Sequence, residues 1–200
     1  MITLEQVSKR IFSDPSWFVK ILMGGILMCL PVINLVVLGY FYRMASMARK
    51  GESFSLPGWN DWKVLFVDGL RCFVIFFILG FLPLLVGFLL SRLLFWIPSP
   101  LSYLPLIPFF ILVWPFVGAG LYLFQRQENF QDTFQLPILI RMIEASKFQL
   151  LLPTLAFLGF LLVGFPLLPF AFFIGGSLLF YFYATVFKEL EISTNGTREV

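Results

Sequence analysis

Four polar residues stand where they could do chemistry: Asn34, Asp61, Asp68 and Arg71. Asp61 and Asp68 lie two helical turns apart on one face, and Arg71 follows Asp68 by one turn. Two carboxylates and a cation in that register could form an acid–base pair or a cation site at a membrane surface. The same spacing builds a hydrated helix face with an Asp68–Arg71 ion pair, and this plainer reading is preferred because surface pairs form readily. Asn34 sits inside an uncharged run, where an unpaired amide is costly. It either ties a broken backbone to a neighbouring helix or touches a solute within a broken helix. The first is preferred, because no charged residue accompanies it.

The chain has no histidine, which takes away the commonest general base and metal ligand. No Ser-His-Asp set, zinc spacing, phosphate-cradling glycine loop or nucleic-acid motif is present. The sequence therefore predicts a protein that is not an enzyme, binds no cofactor or metal and meets no nucleic acid. Cys29 and Cys72 lie in or beside apolar runs and read as small buried residues. The Asn195-Gly196-Thr197 sequon falls in a tail assigned to the cytoplasm and reads as chance.

The elements that must position these residues follow from composition. Hydrophobic residues make up 60% of the chain and charged residues 12%, about half the charged share of a soluble domain. The 14 Lys and Arg avoid four runs, 21–42, 72–91, 93–125 and 148–187. A spanning helix needs about 20 apolar residues. The sequence thus predicts an all-α, polytopic integral membrane helix bundle in a single domain, 1–200. Its spans are expected at 72–91 and 108–124, with a two-span hairpin at 148–187 turning at Gly164–Pro169. Amphipathic helices are expected at 2–12 and at 60–71 along the membrane surface, with an amphipathic segment at 130–147 and a cytoplasmic tail at 188–200. In 130–147, Arg141, Glu144 and Lys147 follow at steps of three, so that Glu144 could meet either cation. Asp14 is a natural N-cap with Pro15 at the first helical position. Trp17, Trp59 and Trp62 read as interfacial anchors. Arg71 precedes Leu82-Pro83 by the interval that separates Arg141 from Leu152-Pro153, a faint internal repeat.

The first membrane segment, 17–42, is broken by Gly24-Gly25, Pro31 and Asn34. It either spans with a kink or re-enters, turning near Pro31–Asn34. If it spans, Lys9, Arg10, Lys20 and Arg92 face the other ten cations. If it re-enters, only Arg92 lies opposite the remaining thirteen. The positive-inside rule favours the more lopsided count, and with it a multi-pass protein of the cytoplasmic (inner) membrane whose C-terminus is cytoplasmic.

The passages Ile21-Leu22-Met23-Gly24-Gly25, Pro31-Val32-Ile33-Asn34, Gly39-Tyr40, Leu56-Pro57-x-Trp59-x-Asp61-Trp62 and Leu65-Phe66-Val67-Asp68-Gly69-Leu70 carry a resemblance. Together they are similar to the bacterial and archaeal membrane family catalogued as domain of unknown function 4013. The match is specific over 14–71 and looser beyond. Members usually read Leu-Pro-Glu-Trp where this chain has Gly58, which implies that a carboxylate there is dispensable. The resemblance implies a small polytopic membrane protein and brings no activity.

The expected role is that of an accessory, structural or lipid-organising component. Its partners would be membrane lipid and other membrane proteins or further copies of itself. The alternative is a transporter or channel for a neutral or apolar solute, with the break near Pro31–Asn34 as its site.

Overall fold

In the computed structural model, residues 9, 14–52, 55–94, 96 and 101–196 are described. The expected helix at 2–12 lies outside them except for Lys9.

A bundle of helices is what the uncharged runs dictate. Helix α1 is Trp17–Met28 and α2 is Asn34–Lys50; α3 is Trp62–Leu93, α4 is Leu106–Gln127, α5 is the single turn Phe130–Thr133, α6 is Leu136–Val163 and α7 is Leu168–Gly196. Four of them, α3, α4, α6 and α7, are long and apolar enough to cross a membrane. By contrast α1, at 12 residues, reaches only about 18 Å at 1.5 Å per residue, short of a hydrocarbon core about 30 Å thick.

Local chemistry sets the ends. Asp14 does not cap α1 directly. Its Oδ1 accepts from the Ser16 N–H and hydroxyl, and Ser16 occupies the capping position before Trp17. Pro31 falls in the turn after α1 rather than inside a helix, and Val32 takes a left-handed φ of 69° there. Because the residue before a proline is pushed out of the helical region, the run 21–42 cannot be one straight rod. Helix α2 stops at Gly51 (φ 80°), where Glu52 N–H reaches the Met47 carbonyl and Gly51 N–H that of Ala48. Only glycine takes that conformation without strain. Arg49 and Lys50 complement the carbonyl end of the same helix.

The long helices alternate in direction. Gly87 of α3 meets Phe109 of α4, and Gly164 after α6 meets Ala171 of α7, which fixes one end. At the other end Arg126 of α4 meets Glu191 of α7. That second end collects Lys63, Arg71, Arg126, Arg141 and Lys188, with Gly51 beside the Lys188 ammonium, whereas Arg92 sits at the first.

Helix α2 is the centre of the bundle, packed chiefly on α3 and α7. Tyr40, Phe41 and Met44 are fully buried, and Phe41 stacks on Phe173 and Phe180 of α7. Its crossing with α3 is backbone against backbone. A Cβ on Gly39 would fall on the Leu65 carbonyl, and one on Gly69 on the Leu35 carbonyl. Between helices in lipid, close approach through small residues replaces the hydrophobic drive that water would supply. Helix α1 leans on α7 in the same way, with Gly24 against Phe173 and Gly25 against Phe170. These contacts lie near the start of α7, while Gly51 lies beside Lys188 near its end. So α1 descends along α7 and α2 climbs back, a hairpin folded inside the bundle.

Several expectations are corrected. Residues 60–71 and 72–91 are not a surface helix followed by a span: α3 runs unbroken from Trp62 to Leu93, with Pro83 inside it. No turn residue separates Arg71 from Cys72, and Gly69 presses this stretch onto α2. Likewise 130–147 and 148–187 do not meet at a boundary, since α6 starts at Leu136 and α7 continues past Lys188 to Gly196. Cys72 is buried, but Cys29 is exposed in the turn after α1.

Candidate functional site

The segment between α2 and α3 is folded into the bundle and pinned by side chains from three helices. Tyr181 of α7 donates to the Glu52 carbonyl (3.1 Å), and Tyr40 of α2 donates to the Pro57 carbonyl (3.2 Å). Lys20 of α1 donates to the Leu56 carbonyl (2.6 Å) and to Asp14 Oδ2 (2.7 Å). That hydrogen bond from the Lys20 ammonium, with help from Ser16, holds the Asp14 carboxyl down at about 2.

Trp59 is buried, against the anchor role expected of it. Its ring stacks on Tyr40 at 4.5 Å and on Phe173 at 5.8 Å. Trp62 is exposed and Trp17 half-buried, the latter set edge-on to Phe18. The structure does not join Asp61 to Asp68. Asp61 is an exposed, left-handed residue just before α3, whereas Asp68 pairs with Arg71 at 3.2 Å, the plain helix-surface pair. Asn34 opens α2, and its Oδ1 is buried without a hydrogen-bond partner among the described residues.

The richest polar constellation was not visible in the sequence. At the basic end, Tyr122 of α4 donates to Glu191 Oε2 of α7 (2.6 Å), and Arg126 Nε lies 3.3 Å from Glu191 Oε1. These groups border a cleft of about 400 Å³ between α4, α6 and α7, closed on the α6 side by Ile138, Arg141 and Met142. Beside it, buried Gln125 donates to the Tyr42 carbonyl at 2.7 Å, which ties α4 to α2. Arg141 makes no ion pair with a described residue, and neither does Glu144. Glu144 thus meets neither Arg141 nor Lys147 in an ion pair, though the spacing allowed either; Lys147 instead lies over the Phe148 ring at 5.5 Å. A second, apolar cleft of about 190 Å³ lies between α4 and α6, with Lys147 at its edge. Among the described residues no group of three His, Cys, Asp or Glu side chains could hold a metal.

No curated protein and no solved structure matches the chain. A family model does, over residues 22–180, which takes in most of α1, all of α2 to α6 with the pinned segment, and the first part of α7. The chain therefore belongs to the family described as protein of unknown function DUF4013.

Proposed function

We propose that this protein is a non-enzymatic, multi-pass component of the cytoplasmic membrane that organises lipid and packs against other membrane proteins. The observation that carries this reading is the outward face of the long helices. On α3, Phe73, Phe77 and Phe81 stand exposed in a stacked ladder, with ring centroids 6.1 and 5.7 Å apart. Phe148, Leu162 and Val163 project from α6 at 79–83% exposure. A continuous apolar exterior of that size is stable only against acyl chains or another apolar protein surface. The basic end faces the cytoplasm in this reading, and the C-terminus with it.

The test is extraction at native expression level in mild detergent, with lipid and protein both analysed in what co-migrates. Bound lipid in reproducible amount, or a stoichiometric membrane partner, is expected. A lone, lipid-free species would overturn the proposal.

One observation favours a second reading, transport of a neutral solute at the break between α1 and α2. The buried Asn34 Oδ1 is an acceptor without a donor among the described residues, and such groups normally find one. In that case Asn34→Leu abolishes solute flux in vesicles while the folded yield holds. If Asn34 serves structure alone, the variant loses stability and the flux per folded protein is unchanged.

A further inference from the structure

We propose that the cleft between α4, α6 and α7 binds the phosphate of an anionic membrane lipid, with Arg126 and Arg141 as its ligands. The inference rests on the lipid-organising reading and gives it a site. Two arginines from different helices face one cleft that holds a single carboxylate. That carboxylate is already engaged on both oxygens, by Tyr122 and by Arg126. Arg126 approaches Glu191 through Nε, and its terminal nitrogens have no partner among the described residues. Arg141, exposed and without an ion pair among the described residues, brings a second planar fork. Guanidinium forks match phosphate oxygens two at a time, and the cleft as it stands has positive charge left over. Its volume, about 400 Å³, lies within the range of small-molecule sites.

The walls favour a lipid over a free anion. Leu123, Ile138, Met142 and Phe187 line the cleft, a surface of no use to inorganic phosphate but suited to the glycerol and upper acyl carbons of a lipid. The cleft also lies at the basic end, where a headgroup would sit once the long helices span.

The experiment places the full chain in nanodiscs of equal phosphatidylglycerol and phosphatidylcholine, then releases it into native mass spectrometry. The unaltered protein is expected to retain phosphatidylglycerol selectively. Arg141→Gln is expected to cut that preference about fivefold, the equivalent of ~1 kcal/mol for one basic residue at a lipid surface. Because Arg141 is exposed and unpaired, its loss leaves the thermal midpoint unchanged. Should the Gln variant misfold, Arg141→Lys is read instead; keeping the charge but losing the fork, it falls between the two. An undiminished preference in the readable variant would overturn the proposal. So would inorganic phosphate bound by the lipid-free protein with no preference among lipids. Retention of both lipids alike refutes the headgroup site alone, whereas retention of neither refutes the lipid-organising reading beneath it too.

Discussion

At the scale of single residues, the buried hydroxyl pair between α6 and α7 makes an asymmetric prediction. Thr154 donates its one proton to the Leu150 carbonyl, so the Tyr183 hydroxyl must donate to Thr154 Oγ1. Tyr183→Phe removes the donor and leaves Thr154 satisfied through Leu150, a loss of about 1 kcal/mol. Thr154→Val strands the Tyr183 hydroxyl in the core and costs more, about 1–3 kcal/mol. Thermal unfolding of both variants in one detergent ranks them, and equal midpoints would mean the pair is not formed. Asp14 yields a pH prediction. Its carboxyl is lowered from 3.8 to about 2 in the fold, so its contribution to stability is fully present above the unfolded value. That contribution is lost as pH falls through about 2. In Lys20→Met, an NMR titration of Asp14 should move back towards 3.8. In the sequence Asp14 reads only as an N-cap; its pairing with Lys20, and the Leu56 carbonyl that shares the ammonium, emerge only in the fold.

At the scale of elements, the crossing of α2 over α3 is the most sensitive point. Gly39→Ala and Gly69→Ala each set a methyl against a backbone carbonyl that cannot step aside. Each should cost about 1–3 kcal/mol, and the double variant less than the sum, because one separation of the helices relieves both clashes. Gly159 is the internal control: a Cβ there meets nothing within 4 Å, so Gly159→Ala leaves the midpoint unchanged or raised. If all three variants melt alike, the crossing is not as close as described. Helix existence was readable because charge is so sparing: uncharged runs and proline-glycine breaks marked the long helices and the interruption at Pro31–Asn34. Two things were hidden. Continuity through Arg71 and Cys72 was missed because a change from amphipathic to apolar character looks like a boundary, although nothing in the backbone chemistry ends a helix there. The cleft was missed because Tyr122, Arg126, Arg141 and Glu191 come from three helices, and Arg141 had an apparent local partner in Glu144. Trp59, in the segment between α2 and α3, looked interfacial for a similar reason, since the ring it stacks on, Tyr40, belongs to α2.

At the scale of the whole molecule, the separation of charge predicts orientation. In a Cys29→Ser background, Glu52→Cys should be labelled by an impermeant reagent only from the cytoplasm and Tyr103→Cys only from outside, Tyr103 being half exposed at the far end. The reverse pattern would turn the molecule over without altering its fold. The contact of α1 with α7 bears on how such a molecule is made. The ribosome delivers α1 well before α7, yet Gly24 and Gly25 rest on Phe173 and Phe170. During synthesis α1 meets α2 and the Leu56 carbonyl early, but its largest seat, on α7, is missing until α7 arrives. It must wait at the membrane surface or against the insertion machinery while the intervening helices are threaded. A chain cut short before α7 leaves that face of α1 bare, together with the faces of α2, α4 and α6 that α7 covers.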